Sequence, residues 1–268
     1  MKVNKSSYLY WLNIGSKTKD DVIIFYQEII SVYSDSNGIY GAPKIAAFLN
    51  RKNITCSVSK VSRAMLLIGL KSTVAKRFPK KISRITDKEK SLIVNLIKDL
   101  NIVRINQVWT TDVTYIHTIH EGTFYLISFI DYYSKKVVSW GLFENQKADK
   151  LVIVLKKAVK ERNPKPGLIC HSDKGSQMRS KLYRNELKRN HFVPSYTSLN
   201  HSCDENAAQE SFHASLKKEF LYQMKLFSYE DAFKAIYDYI EGFYNSTRIH
   251  SSIGYLSPND FEKLQKNI

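Results

Sequence analysis

The chain has 268 residues, 43% hydrophobic and 25% charged. That is too long for a hormone-like peptide and too apolar for a disordered chain. Its 41 Lys and Arg against 25 Asp and Glu leave a formal charge of +16, which favours a polyanionic partner. Cys56, Cys170 and Cys203 stand at unrelated spacings and imply no disulfide framework. No apolar run approaches the ~18 residues that signal a membrane span, the start MKVNKSSYLYWLNIG has no signal-peptide pattern, and the expected compartment is the cytoplasm.

The charge is uneven, with 15 basic and 4 acidic residues in positions 1–84. Residues 20–34 space Ile23, Ile24, Tyr26, Ile29, Ile30 and Tyr33 as in a helix, and the turn DSNG follows. Pro43 opens a second helix with Ile45, Phe48 and Leu49 on one face. Ser57 caps a third, in which Val61, Met65 and Leu66 face inward and Gly69 supplies the stop. The last two read as a helix-turn-helix with Lys60 and Arg63 on its exposed side; a hairpin that binds nothing is the alternative, and the local charge favours DNA. KSTVAKRFPKKISR, residues 71–84, is a basic linker able to track phosphates through Lys76, Arg77, Lys80 and Lys81. Thr86 and Glu89 make a capping-box pattern for a helix through Leu92, Val94, Leu96 and Ile97. The reading is therefore a basic helical region, 1–84, followed by a second domain, 85–268.

From Gln107 the period changes to that of strands. VWTTDVTYIHT, TFYLISFIDYYS and KKVVSWGLFE predict an antiparallel meander, and ADKLVIVLKKAVKER an amphipathic helix. A strand in GLICHS, a helix over 180–190, a strand in FVPSYT, the loop SLNHSCDE and a helix from about Asn206 complete an α/β pattern: a mixed five-stranded sheet with flanking helices. Ser228 and Asp231 cap a later helix with Phe233, Ile236, Ile240 and Phe243 on its apolar face.

In so basic a chain the acids at strand ends are informative. Asp112 lies within the apolar, β-branched run WTTDVTYI, where a carboxylate is costly without a positive partner. Asp173 follows the strand LIC in HSDKGSQ, and Glu210 lies early on the helix NAAQESFHASLKKEF. If the three converge they form a site for hard divalent cations; each alone also reads as an ordinary solvated or hydrogen-bonded acid. Asp131 reads as a turn residue. Lys217, seven residues after Glu210, falls on the same helical face and is either a phosphate contact or a solvated lysine. Lys174 adjoins Asp173, and Gly175 permits close approach of backbone to DNA.

The segments WTTDVTYI, IDYYSKKVVSW, HSDKGSQ, ENAAQESFHASLKKE and YNSTRIHSSIGYLSPNDFE, in this order, resemble the second open reading frame of IS-three-family transposases. IYGAPKIAAFLN and VSKVSRAMLLIGL resemble the helix-turn-helix region that precedes that family's core. The resemblance implies a ribonuclease H-like, integrase-type core that cleaves and joins DNA with Mg²⁺, or Mn²⁺ in its place. It maps the family's acidic triad onto Asp112, Asp173 and Glu210. It also implies a homo-oligomer on DNA and an upstream reading-frame product as partner, either separate or joined to this chain by frameshifting. Thirty-six residues separate Asp173 from Glu210 where the family usually has 35, so Asp204 and Glu205 are rivals for the third acid. Arg248 and His250, in the C-terminal family motif, are read as DNA contacts or as local hydrogen-bonding groups. No zinc is expected, because the first 100 residues hold one cysteine and no histidine. The competing functions are an inactive DNA-binding repressor derived from a transposase and a structure-selective nuclease on the same fold.

Overall fold

In the computed structural model, which describes residues 19–73, 95–197 and 206–266, the chain divides into two units, Met1–Pro79 and Lys80–Ile268. The expected linker contacts Lys76, Arg77, Lys80 and Lys81, and the capping box at Thr86 and Glu89, lie outside the described residues.

The first unit packs helices α1 (Lys19–Asp35), α2 (Ala42–Arg51) and α3 (Val58–Leu67). Ile29 and Val32, Ile45 and Leu49, and Val61 and Met65 are buried at i, i+3 or i, i+4 spacing. Ser57 Oγ accepts the Lys60 N–H to cap α3. Gly69, with φ +74°, ends that helix, and the next N–H donates to Met65 O. Two expected faces are corrected. Leu66 is 81% exposed, since a helix advances 100° per residue and the face of Val61, Ala64 and Met65 leaves it outside. Ile23, Ile24 and Ile30 are exposed as well, because α1 is apolar around most of its girth and packing selects Ile29 and Val32.

The second unit is built on a five-stranded sheet of order β3-β2-β1-β4-β5. Its strands are β1 (Val108–Thr118), β2 (Gly122–Asp131), β3 (Val137–Phe143), β4 (Ile169–Ser172) and β5 (Val193–Tyr196). The first three form the antiparallel meander, and β4 and β5 add in parallel to β1. Each parallel addition needs a crossover, supplied by α4 (Ala148–Arg162) and α5 (Lys181–Arg189). This is the expected ribonuclease H-like arrangement.

Along β2, Phe124, Leu126 and Ile130 face one core and Ile127 and Phe129 the other, the period-2 alternation of a strand covered on both sides. Helices α4 and α5 fill the second core with Leu151, Leu155, Tyr183 and Leu187. The first core is closed by α6 (Ala207–Ser215) and α7 (Tyr229–Tyr237) with the turns after them. Both helices run on into looser π-helical segments, Leu216–Phe220 and Asp238–Tyr244, where one regular helix was expected. Phe233 is exposed; Ala232, Ile236 and Ile240 carry that face instead. The stretch from Asn95 to Leu100 is turn rather than helix, and the Leu96 N–H donates to Ser195 Oγ at the end of β5.

Asp131 ends β2 as a turn residue, its buried carboxylate accepting the N–H groups of Asn106, Tyr133 and Ser134. Beside it Arg162 makes two 2.7 Å bonds to Glu262 of α8 (Pro258–Lys266). Burial works against the Glu262 carboxylate, yet Arg162 holds its pKa below the ordinary value. Removing one partner strands the other charge in a buried place. Glu262→Ala is therefore expected to cost about 3 kcal/mol in urea unfolding at neutral pH, a loss that shrinks as acid protonates Glu262 in the wild type.

Candidate active site

The parallel ladder between β1 and β4 pairs Val108 with Ile169 and ends at Thr111 with Ser172. Asp112 and Asp173 are the next residues of the two chains. They leave the ladder together, on strands about 4.8 Å apart, at the carboxyl end of the parallel pair where α/β sheets expose functional groups. Asp173 is held by a tight turn in which its Oδ1 accepts the Gly175 N–H at 2.9 Å. A Cβ on Gly175 would come within 2.8 Å of Gln177 Nε2 and 3.0 Å of Asp173 Oδ1, so a larger residue there would push both side chains aside.

Glu210, the residue expected as third acid, arrives on α6. Gln209, fully buried, donates from Nε2 to Thr110 O at 2.7 Å and to Ser128 O, and its Oε1 accepts from Ser128 Oγ at 3.0 Å. These bonds fasten the helix to β1 and β2, and Glu210 follows directly. One turn on, His213 brings Nδ1 to 3.6 Å from Asp112 Oδ2. Burial, with a contribution from Lys217, pushes the His213 pKa down to about 3. The imidazole is thus neutral, and the approach to Asp112 is a polar contact rather than an ion pair.

Asp112 records the convergence. Its pKa is pushed up to about 7, first by burial and then by the charge of Asp173, with Glu210 adding to it; the Val113 N–H and Lys217 pull the other way. Carboxylates from β1, the loop after β4 and α6 therefore share one electrostatic field. Burial depresses the Lys217 pKa while Asp112 opposes the shift, so the ammonium borders the same field, 4.2 Å above the Tyr115 ring.

The other expected contacts fall in different surroundings. Lys60 and Arg63 are exposed along α3, and the Lys60 ammonium stands 4.2 Å from the Phe25 ring centroid. Lys174 is half-buried beside Asp173. Arg248 is buried, which corrects its reading as a DNA contact and favours the alternative of local hydrogen bonding: Nε and Nη2 donate to Glu219 at 2.7 and 2.6 Å, and Nη2 to Ser215 Oγ at 3.0 Å. His250 lies against Arg248 Nη1 at 3.2 Å, with its ring edge-on to Tyr244. Asp204 and Glu205, the rival third acids, lie outside the described residues.

Among the described residues no three His, Cys, Asp or Glu side chains stand close enough to hold one ion. The donor set nevertheless fits a hard divalent cation in kind. It consists of carboxylates alone, and the pKa of Asp112 is raised by burial and then by the charges of the other two. Sequence reasoning missed Gln209 and His213. The available signal was their i, i+4 spacing beside the apolar Phe212 and Leu216, which places polar groups on a helix face that turns inward.

The sheet order, with the family matches that follow, defines an integrase-type polynucleotidyl transferase core. Residues 103–202 match the integrase core domain family, residues 194–258 a second integrase core domain family, and residues 20–78 the HTH-like domain. The chain is 36% identical over 253 residues to the transposase for insertion sequence element IS904 of Lactococcus lactis, covering 92% of this chain and 97% of that protein. It is 31% identical over 237 residues to transposase InsF for insertion sequence IS3A of Escherichia coli, covering 87% and 80%. The chain belongs to the IS3 family of insertion-sequence transposases, and its function is DNA transposition. Among solved structures, the catalytic domain of Mos1 mariner transposase overlaps with a TM-score of 0.46 at 16% identity, over 60% of this chain and 82% of that one. No described helix is long and apolar enough to cross a membrane.

A pH experiment isolates the field at Asp112. Between its ordinary value of 3.8 and about 7 the folded chain keeps a proton that the unfolded chain has lost, so this group removes stability as pH rises. His213 acts in the opposite sense over a lower range. The informative quantity is therefore the difference between Asp112→Asn and the wild type. With divalent cations chelated, the variant is expected to gain on the order of 3 kcal/mol relative to wild type between pH 4 and pH 8 in denaturant titrations.

Proposed function

We propose that Asp112, Asp173 and Glu210 form a divalent-cation site, for Mg²⁺ or for Mn²⁺ in its place, at which the chain cuts and joins the ends of its insertion sequence. The carrying observation is the shared field: the Asp112 pKa is pushed to about 7 by burial and by the charges of Asp173 and Glu210, which arrive on separate elements. When bound, a divalent cation supplies the positive charge that in-line phosphodiester displacement needs at the attacking and leaving oxygens. The protein's part is positional. Gln209 fixes α6, and with it Glu210, against β1 and β2. His213 stays neutral beside Asp112 and adds no competing positive charge. Lys217 and Lys174 offer ammonium groups to phosphates flanking the scissile bond. Arg248 acts as a positioning residue, bracing the segment after α6 through Glu219.

DNA is further held by the helix-turn-helix unit through Lys60 and Arg63, by the linker through Lys76, Arg77, Lys80 and Lys81, and at the core by His250. The reading includes a homo-oligomer on DNA, an upstream reading-frame product as partner, work in the bacterial cytoplasm, and no zinc.

Asp112→Asn, Asp173→Asn and Glu210→Gln each keep the side-chain shape and remove a negative ligand. Each is expected to abolish Mg²⁺-dependent cleavage and strand transfer on matched element ends while DNA binding persists, and double variants should lose little more than single ones. Glu205→Gln should remain active. Loss of joining in Glu205→Gln with retention in Glu210→Gln would reassign the third acid. A wild-type chain that binds ends but never nicks them would make the repressor reading correct, and one that cleaves without joining the nuclease reading.

Replacing Lys76, Arg77, Lys80 and Lys81 with Ala is expected to weaken binding to all sequences alike. The log–log salt slope should flatten by about 0.9 for each lost phosphate contact, as read by fluorescence anisotropy over a salt series. An unchanged slope would remove the linker from the interface.

A further inference from the structure

We propose that a groove beside the acidic site receives a nucleobase from an unpaired stretch of the DNA strand held there. The inference rests on the reading of Asp112, Asp173 and Glu210 as the reacting centre and adds a subsite to it. The backbone makes the opening. Strand β4 pairs with β1 only as far as Thr111, so from Val113 onward β1 has β2 on one side and no strand on the other. The chain after α6 rises along that open side and encloses a groove of about 400 Å³, with Tyr115, His117 and Ile119 on one wall and Lys217, Leu221 and Tyr222 among the residues opposite.

The lining is of a particular kind. Tyr115 and Tyr222 keep 56% and 60% of their surface exposed, and Ile119 and Met224 are also strongly exposed. A single exposed apolar side chain needs no explanation, whereas several in one concave place mark a binding surface. The Tyr115 and His117 rings lie 5.1 Å apart, and His117 Nδ1 is 2.8 Å from Thr123 Oγ1, which fixes its ring. Lys217 and Lys225 contribute the groove's charges, both positive, and no acid lines it. Aromatic faces flanked by lysines match an unstacked nucleotide, whose base offers a flat face and whose phosphate offers a negative charge. Bases inside a duplex have no free face, so the ligand must be unpaired.

Location ties this groove to the strand being processed. Tyr115 is three residues along β1 from Asp112, about 10 Å away, and its side chain leaves the opposite face of the strand, so groove and acidic site meet around the open edge of β1. Lys217 joins the two places, since its charge acts on Asp112 and its ammonium covers the Tyr115 ring at 4.2 Å. A phosphate at the acidic site draws that ammonium towards itself and bares the ring for a base. A protein strand added to the open edge of β1 is the other occupant such an edge attracts, and the basic, aromatic lining favours the nucleotide.

The test uses the full chain and a short duplex ending in a single-stranded thymidine overhang, compared with the same duplex carrying an abasic overhang. The wild type is expected to bind the thymidine form about tenfold more tightly, the lower range of base–aromatic stacking. Tyr115→Phe should keep that preference and Tyr115→Leu lose it. With 5-iodouracil in the overhang, irradiation of the wild type should give an adduct on Tyr115, His117 or Tyr222 by peptide mass spectrometry, a readout that needs no variant to fold. Equal affinity of the wild type for both overhangs, or adducts only at other residues, would overturn the subsite. Neither result bears on the acidic site, whose failure is read separately from the cleavage assays on Asp112→Asn, Asp173→Asn and Glu210→Gln.

Discussion

Thr111 of β1 and Ser172 of β4 form the last rung of a parallel ladder, and the geometry of the acidic site follows from where that rung falls. A parallel pair has one register that keeps both strands' apolar faces in the two cores, because a slip by one residue turns every side chain over. Buried Val108 and Trp109, beside half-buried Ile169 and buried Cys170, fix that register. Once they are placed, Asp112 and Asp173 have nowhere to go except beside each other at the carboxyl edge. Burial first and the charge of Asp173 second raise the Asp112 pKa, so packing brings together groups whose electrostatics oppose the arrangement.

Strand register cannot place the third acid, which comes on a helix from the opposite layer. That task falls to Gln209, whose amide reaches through the first core to the backbone of Thr110 and Ser128. A buried amide is costly unless its donors and acceptor are answered, and here both ends are. The same helix carries Phe212 into the apolar core and His213 to Asp112. Three successive kinds of contact, polar to the sheet, apolar to the core and neutral imidazole to the acid, thus set the rotation of α6 about its axis.

How legible this was from the sequence varied with the range of the interaction. The strand of Asp112, residues 108–118, and the helix over residues 148–162 were readable to the residue, because period and breakers are local signals. Asp112 stood out as a charge within an apolar, β-branched run and Asp173 as one at the end of an apolar strand. The inward side of α1 was not legible, since isoleucines surround that helix and only α2 and α3 decide which are covered. For Arg248, in the C-terminal family motif, sequence left DNA contact and local hydrogen bonding both open. Its partner Glu219 lies 29 residues earlier in sequence, and only the folded path after α6 brings the two to 2.6 Å. Gln209 and His213 were hidden for the same reason: burial of a polar side chain is decided by a partner on another element.

The C-terminal segment shows how a destabilising centre is tolerated. Burying Asp112 near Asp173 and Glu210 raises its pKa and so costs stability at neutral pH. Against it stand two buried ion pairs. Arg162 to Glu262 fastens α8 to the end of α4, and Arg248 to Glu219 fastens the turn before α8 to the helix that carries Glu210. Asn245 adds hydrogen bonds in both directions to the Val137 backbone, joining the same segment to β3. Ala232, Ile236, Tyr239, Ile240 and Tyr244 complete the core beneath α6. Residues 229–266 are therefore part of the platform that holds the acids and not an appendage to it. A chain ending before them would leave Phe212 and Leu216 uncovered and Glu219 without its guanidinium, and the helix bearing Glu210 would lose the surface that sets its angle.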